Sequence, residues 1–230
     1  MEIKRFQTVT QRTPWVKALI YGQAGAGKTR FCADSPKPFW FDFESSTETL
    51  RYWPEYKETR VKTPKDISEL ITDIALAVND PEIDTIIIDS MTTAHDYFMR
   101  REAEKRAAKR DEFTFSEADY KYATQVFTKL FGLLQDAPIN VVLIGHERIS
   151  FDPDTGNVTG IYPDITPRLQ QAVTRLVNVV GYMSATNNEL KGTTSRKLYL
   201  NRTNTIEAKN RLNIQDIFIP NPTWKEIFGA

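Results

Sequence analysis

Residues 20–31 have the sequence IYGQAGAGKTRF, a glycine-rich turn that ends in a lysine and a threonine. The turn follows an apolar run, Val16 to Tyr21, that predicts a buried strand. It precedes KTRFCADS, which predicts a short helix stopped by Pro36 and Pro38. Glycines let successive backbone N–H groups turn inward, and the start of a helix adds its positive end. This order of elements therefore predicts an anion site at the edge of a sheet.

The loop also carries side chains suited to a nucleotide. Gly22, Gly27, Lys28 and Thr29 fit the spacing G-x-x-x-x-G-K-[ST] of a P-loop, between a strand and a helix as that motif requires. Lys28 is a candidate catalytic residue, because its ammonium would contact the β- and γ-phosphates. The Thr29 hydroxyl would coordinate magnesium. A turn that only connects two elements is the alternative. The residues expected to bind the nucleotide are Gly22, Gln23, Ala24, Gly25, Ala26, Gly27, Lys28, Thr29 and Arg30.

An acid ends a second apolar strand. Residues 85–89, TIIID, finish in Asp89, where a carboxylate can hold the water shell of magnesium beside Thr29. We therefore expect Thr29 and Asp89 to form the metal site. A loop cap is the alternative role for Asp89.

Hydrolysis needs a group that orients or deprotonates water, and many P-loop ATPases place a glutamate directly after the magnesium aspartate. Here that position is Ser90. Glu44, at the end of the predicted strand PFWFDFE, is the expected catalytic base, because parallel strands bring their carboxyl ends to one edge of the sheet. Asp42 is the alternative base, and a capping or solvated acid is the alternative role for Glu44.

A histidine ends the later apolar run VVLIGH. His146 should lie at the same edge, where a neutral imidazole can hydrogen-bond the γ-phosphate or the attacking water, and we count it among the catalytic candidates. A loop histidine with satisfied hydrogen bonds is the alternative.

Apolar runs alternate with stretches of helical period along the chain, which is typical of a mostly parallel sheet covered by helices. The spacing predicts a helix from Ile67 to Val78 and a buried strand at INVVLIGHE. Residues 148–167, rich in Gly, Pro, Asp and Thr, predict a long surface loop or a small hairpin. The apolar stripe of a further helix is expected to consist of Tyr122, Val126, Leu130 and Leu133.

The composition of the 230 residues excludes several classes of protein. Apolar residues make up 40% and charged residues 26%, so most of the chain should fold. The 30 basic and 30 acidic side chains cancel, so any contact with a polyanion must be local. One cysteine excludes an internal disulfide, and no apolar run reaches the length of a membrane span. We expect a soluble, cytoplasmic protein without membrane contact.

Together the motifs GQAGAGKT, DFE, IIIDS without a following glutamate, and IGHE resemble the ATPase core of the RecA/RadA recombinases, and most closely the short phage RecA-like ATP-binding or single-strand annealing proteins. The resemblance extends from Trp15 to Leu212. It implies an α/β fold with a RecA-like P-loop core, a mostly parallel central sheet flanked by helices, and an antiparallel extension at the C-terminal end. It also implies an N-terminal arm of residues 1–14 and a single ATPase domain of residues 15–230.

The resemblance assigns further roles and partners. Glu44 matches the catalytic base, and His146 matches a polar residue, glutamine in RecA, that senses the γ-phosphate and signals to a DNA-binding loop. Lys209 and Arg211, in EAKNRL, match basic residues that reach ATP on the neighbouring subunit. The cofactors implied are ATP and Mg²⁺. The partners implied are single-stranded DNA, further copies of the chain in a ring or filament with ATP at the subunit interfaces, and a single-strand DNA-binding protein.

A basic segment follows the Asp89 strand and is the strongest candidate for an electrostatic DNA contact. In RREAEKRAAKR, residues 100–110, three cations lie four residues apart on one helical stripe. An exposed helix with internal pairs, such as Glu102 with Arg106, is the alternative. The residues 148–167 match a second DNA-binding loop of the family. The expected DNA contacts are Arg101, Lys105, Arg106, Lys109, Arg110 and Arg148.

The sequence thus predicts a DNA-stimulated ATPase that binds single-stranded DNA and promotes annealing or strand exchange in phage-type recombination. Two alternatives stay open. A P-loop kinase of a nucleotide or small metabolite would need an acceptor pocket, and a DNA-binding scaffold would hold ATP as a structural ligand.

Overall fold

The computed structural model describes residues 15–107, 117–188 and 192–229. The strands of these residues are β1 (Lys17–Gly22), β2 (Pro38–Asp42), β3 (Arg60–Lys62), β4 (Thr85–Asp89), β5 (Asn140–Gly145), β6 (Glu147–Phe151), β7 (Val158–Pro163), β8 (Val179–Asn188), β9 (Thr193–Tyr199), β10 (Lys209–Asn210) and β11 (Phe218–Pro220). The α-helices are α1 (Lys28–Ala33), α2 (Ile67–Val78), α3 (Met91–Ala107), α4 (Glu117–Asp136), α5 (Pro167–Leu176) and α6 (Trp224–Phe228). None of the described helices is long and apolar enough to cross a membrane.

The strands form one large twisted sheet and a separate hairpin. The order in the large sheet is β11-β9-β8-β1-β5-β4-β2-β3, with β10 beside β8. The six strands from β8 to β3 run parallel, whereas β9 and β10 are antiparallel to β8, and β11 is antiparallel to β9. The predicted fold class, a mostly parallel α/β sheet with an antiparallel extension at the C-terminal end, is confirmed.

Alternating side chains of the central strands build two cores, one on each face of the sheet. Leu19 and Tyr21 of β1 belong to the core that packs against α2, α3, α4 and α5. Ala18 and Ile20 belong to the core beneath α1 and α6. Because neighbouring residues of a strand point to opposite faces, an apolar residue at every position is what a strand covered on both sides requires.

The fourth helix is present and Leu130 of its predicted apolar stripe is buried, but the stripe is wrong at Tyr122 and Leu133. Tyr122 and Leu133 are 41% and 61% exposed, whereas Phe127, Phe131 and Leu134 are at most 2% exposed. The buried residues also recur at helical spacing, and they bring two large aromatic rings into the core, which buries more apolar area.

Residues 148–167 contain a hairpin, one of the two forms predicted for them. Strands β6 and β7 pair antiparallel, and β6 starts directly after His146. Among the described elements that no sequence pattern marks are β3 and β11, of three residues each, and two 3-10 helical segments at Ser46–Tyr52 and Pro54–Tyr56. Such short elements carry too few residues for a periodic pattern.

The C-terminal helix is tied to the helix that follows the glycine loop. Trp224 of α6 is fully buried, and its ring lies 6.0 Å from that of Phe31 in α1 and 4.4 Å from that of Phe228. Trp224 and Phe228 are therefore packing residues of the core beneath α1 and α6. The C-terminal segment therefore lies beside the predicted phosphate site.

Candidate functional site

The glycine loop joins β1 to α1 at the carboxyl edge of the parallel strands. Gly25 and Gly27 have φ angles of 77° and 97°, in the left-handed region that glycine adopts without strain. The ammonium of Lys28 donates to the carbonyl oxygens of Gly22 at 2.9 Å and Gln23 at 2.7 Å. Burial lowers the pKa of Lys28, and the carboxylates of Asp89 and Glu44 partly oppose that shift. An ammonium has three donors, so one N–H remains for a ligand in the loop.

Thr29 and Asp89 meet at the base of the loop, as the sequence predicts. The Thr29 hydroxyl donates to Asp89 Oδ2 over 3.2 Å, and the Ser46 hydroxyl donates to the same oxygen over 2.5 Å. Asp89 is 2% exposed, and its burial, reinforced by the negative charges of Glu44 and Asp42, raises its pKa to about 6. A buried carboxylate next to a hydroxyl provides hard oxygen ligands.

This donor set fits magnesium held partly by a nucleotide. Among the described residues no group of three or more His, Cys, Asp or Glu side chains could hold a metal by itself. Magnesium is usually held by one or two carboxylates together with substrate phosphates, so a single aspartate with Thr29 is sufficient. The residues that would hold it are Thr29 and Asp89.

Glu44 lies two residues beyond the end of β2 and is held by three donors. Its Oε1 accepts hydrogen bonds from the hydroxyls of Ser90, at 2.5 Å, and Thr93, and lies 2.7 Å from Nε2 of His146. Burial acts to raise the pKa of Glu44, but the hydrogen bonds from His146, Ser90 and Thr93 outweigh it and lower the pKa to about 2. The hydrogen bond with Glu44 raises the pKa of His146.

The structure thus brings together the loop, the metal residues and the two strand-end residues that the sequence places at one edge. Ser90 takes part as well, because the hydroxyl that replaces a glutamate at this position donates to Glu44. The catalytic roles of Lys28, Glu44 and His146 stay predictions.

Both carboxylate oxygens of Asp42, the alternative base, accept hydrogen bonds from the turn that follows β2. Its Oδ1 accepts from the backbone N–H groups of Glu44 at 2.9 Å and Ser46 at 3.2 Å, and its Oδ2 accepts from the N–H and the hydroxyl of Thr47. A carboxylate with both oxygens engaged by its own loop is positioned to fix that loop. Asp42 therefore orients Glu44, and the geometry favours Glu44 as the base.

A cavity of about 640 Å³ opens over the loop and is lined by predicted site residues such as Lys28, Glu44 and His146 together with residues that the sequence did not single out. One of these is Trp53, with the guanidinium of Arg30 4.9 Å from its ring centroid. Arg196 of β9 and the segment 221–223 also line the cavity. No motif marks these positions, since they approach the loop only through the tertiary fold.

The basic pair near the C-terminus lies away from this cavity in its own chain. Lys209 pairs with Val180 near the amino end of β8, the opposite edge of the parallel strands. Its ammonium donates to the carbonyls of Thr174 at 2.5 Å and Val177 at 2.7 Å, at the end of α5. Lys209 is therefore occupied within its own chain, whereas Arg211 is exposed.

The predicted DNA contacts are only partly covered by the structure. Arg101 is exposed on α3, and its guanidinium lies 5.3 Å from the ring centroid of Tyr97. Lys105 is exposed on the same helix, and Arg148 is exposed on β6. The side chain of Arg106 and the residues Lys109 and Arg110 lie outside what the structure describes.

Comparison with known proteins gives one family and a fold. A family model described as an AAA domain matches residues 15–212. A solved structure of a KaiC-like protein from the hyperthermophilic archaeon Pyrococcus horikoshii superposes with a TM-score of 0.51, at 13% identity, over 90% of this chain and 89% of that chain. At this identity the likeness concerns the fold. No protein of curated function matches the sequence.

Proposed function

The chain belongs to the AAA domain family, and from this premise we propose that it binds single-stranded DNA and promotes annealing or strand exchange, as in phage-type recombination, under the control of ATP. The family and the RecA-like fold make it a P-loop ATPase that binds and hydrolyses ATP. The DNA substrate, the use of Mg²⁺ and the roles of individual residues are the proposal.

The observation that carries the catalytic part of the proposal is that Glu44 lines the same cavity as Lys28 and Thr29. A carboxylate with a pKa of about 2 is ionised at neutral pH, so Glu44 can accept the proton of a water molecule that attacks the γ-phosphorus. The bond from that phosphorus to the bridging oxygen then breaks, and ADP and phosphate form. Lys28 stabilises the charge that develops on the phosphate oxygens. Magnesium, when bound by Thr29 and Asp89, neutralises charge on the β- and γ-phosphates.

His146 is proposed to regulate this base. Three donors make Glu44 a weak base, and loss of the bond from His146 would raise its pKa and free an oxygen lone pair for water. A γ-phosphate that attracts the imidazolium would have this effect. Because His146 directly precedes the β6–β7 hairpin, its movement would reach Arg148 two residues later.

DNA binding is supported by exposed cations on two elements that start at this site. The α3 helix begins two residues after Asp89, and the hairpin begins one residue after His146. The exposed cations are Arg101 and Lys105 on the helix and Arg148 on the hairpin. Phosphate contacts by such residues are independent of DNA sequence, which suits an annealing protein.

Assembly with ATP at subunit interfaces is part of the proposal. Arg211 is exposed and could reach the phosphates of a neighbouring subunit, whereas Lys209 is held at the end of α5. An arginine supplied by a neighbour stabilises charge in phosphoryl transfer. Whether the assembly is a ring or a filament can be measured by light scattering with a non-hydrolysable ATP analogue.

The decisive experiment measures ATP hydrolysis with and without single-stranded DNA, together with annealing of complementary strands. We expect DNA to stimulate hydrolysis, and Glu44→Gln to retain ATP binding but lose turnover by at least about a hundredfold. Glu48→Gln is the matched control, since Glu48 is an exposed acid in the same segment that pairs with Arg51 at 2.7 Å. Full turnover in Glu44→Gln would show that Glu44 is not the catalytic base.

A rate of ATP hydrolysis that is the same with and without single-stranded DNA would contradict the proposal that the protein acts on DNA. Transfer of phosphate to a small acceptor under these conditions would support the kinase alternative, and annealing by Glu44→Gln at the wild-type rate would support a scaffold.

A further inference from the structure

An arginine from the antiparallel part of the sheet lies directly over the glycine loop of its own chain. Arg196 is on β9, opposite Ala185 of β8, and β8 in turn borders β1. A Cβ atom placed on Gly27 would lie 2.7 Å from Arg196 Nε and 3.0 Å from its Cδ. The guanidinium group therefore approaches the loop backbone more closely than any side chain at position 27 would permit.

The charge of Arg196 has no acidic partner within the described parts of the chain. No described aspartate or glutamate forms an ion pair with it, although the residue is half-buried and lines the cavity together with Lys28 and Thr29. Partial removal of a cation from water is unfavourable unless a counter-charge compensates for it. Its position in the cavity thus indicates an anionic ligand.

The backbone of Arg196 is held by the C-terminal segment. The Arg196 N–H donates to Asn221 Oδ1 at 3.2 Å, and the Asn221 N–H donates to the Arg196 carbonyl at 2.8 Å. Asn221 continues from β11, which pairs with β9, and precedes α6, which packs on α1 through Trp224 and Phe31. The helix after the loop and the strand that carries Arg196 are therefore fixed to one another.

We propose that Arg196 binds the α- and β-phosphates of the nucleotide in the same subunit. The inference rests on the nucleotide binding in the proposed function and adds a phosphate ligand to that site. Loop N–H groups such as that of Gly27 cradle the α- and β-phosphates of a nucleotide, and Arg196 lies against this part of the loop. Glu44 and His146 are the residues proposed to act at the γ-phosphate, and Arg196 forms no described hydrogen bond with either of them. A guanidinium can donate two parallel hydrogen bonds to phosphate oxygens.

The test is the affinity of the full chain for ADP and for a non-hydrolysable ATP analogue, without DNA. Removing a charge-assisted hydrogen bond costs about 10- to 100-fold in affinity, so Arg196→Ala should weaken both ligands by that range and by similar factors. Arg196→Lys keeps the positive charge but lacks the two parallel N–H donors of the guanidinium, so it should recover only part of the lost affinity. Lys197→Ala is the matched control, because the ammonium of Lys197 lies 4.5 Å from the ring centroid of Phe218.

Two results would overturn the assignment. One is ADP affinity in both Arg196 variants within about twofold of the wild type, and the other is a loss confined to the ATP analogue, which would place Arg196 at the γ-phosphate. A wild-type chain that binds ADP but whose turnover ignores DNA would contradict the proposed function alone. Arg196→Ala with wild-type ADP affinity would contradict this assignment alone.

Discussion

The pairing of His146 with Glu44 gives the site a pH dependence of definite sign. The folded-state pKa of His146 is raised above 6.5, so the ionic pair is fully present below pH 6.5 and is lost as pH rises through the raised value. Glu44, with a pKa of about 2, stays ionised over that range. Loss of the imidazolium makes Glu44 a stronger base, and we expect kcat/KM for ATP to rise as pH increases from 6.5 through the raised pKa of His146.

His146→Gln should flatten this rise, because glutamine can donate a hydrogen bond to Glu44 but does not titrate. Steady-state kcat/KM for ATP, measured at about pH 6 to 9 for both proteins, checks the expectation. An unchanged pH profile in His146→Gln would assign the titration to another group.

The buried carboxylate of Asp89 should cost stability at the pH where it functions. Its folded pKa of about 6 lies above the ordinary 3.8, so the folded state is not penalised below pH 3.8, and the penalty grows as pH rises through 6. Asp89→Asn should therefore raise the free energy of unfolding by about 1–3 kcal/mol at pH 7.5 and by little at pH 4. The same variant should lose magnesium-dependent turnover.

Urea denaturation at the two pH values measures the effect of Asp89→Asn. Asp216→Asn is the control, since Asp216 is exposed and far from the site in sequence. Equal stabilisation at pH 4 and pH 7.5 would show that ionisation of Asp89 is not the cause.

At the scale of single elements, Lys209 stabilises the end of α5. Its ammonium bonds two carbonyl oxygens of the last turn, where a cation also interacts favourably with the helix dipole. Lys209→Met should lower the free energy of unfolding by about 1 kcal/mol in urea denaturation and should leave kcat intact in the folded protein. Arg211→Ala, at an exposed position, should leave stability unchanged. If Lys209→Met kept its stability but lost turnover, Lys209 would instead act on the ATP of a neighbouring subunit.

Elements with a complete periodic pattern are predictable from the sequence, and those defined by contacts are not. The helix α2 has the bounds expected from its apolar spacing, and β1 differs by one residue at each end. In α4, Leu130 is buried as predicted, but Leu133 is not, because Leu133 and Leu134 are equally apolar and only the fold decides which of them is buried. Arg196 could not be found, since its approach to Gly27 depends on β9 lying next to β8.

For the whole molecule, the absence of net charge makes the location of its cations decisive. With 30 basic and 30 acidic side chains, long-range attraction to DNA is weak, and binding must come from a local face. The α3 helix extends from the site and carries Arg101 and Lys105 on its exposed side, and Lys109 follows at the same spacing. Contacts of this kind release counterions from the nucleic acid. The slope of log affinity against log salt concentration is therefore negative, by about 0.7 for each phosphate neutralised on a single strand.

Replacing Arg101, Lys105 and Lys109 by alanine should therefore weaken single-strand binding and reduce the salt slope by up to about 2. The control replaces three exposed cations of other elements, Arg51, Lys57 and Lys225, which gives the molecule the same net charge. Fluorescence anisotropy with a labelled oligonucleotide between 50 and 300 mM salt, roughly the range in which such slopes are measured, separates the two variants. A local contact predicts loss only in the first variant, whereas an equal loss in both would mean that DNA responds to the overall charge and that α3 is an ordinary solvated helix.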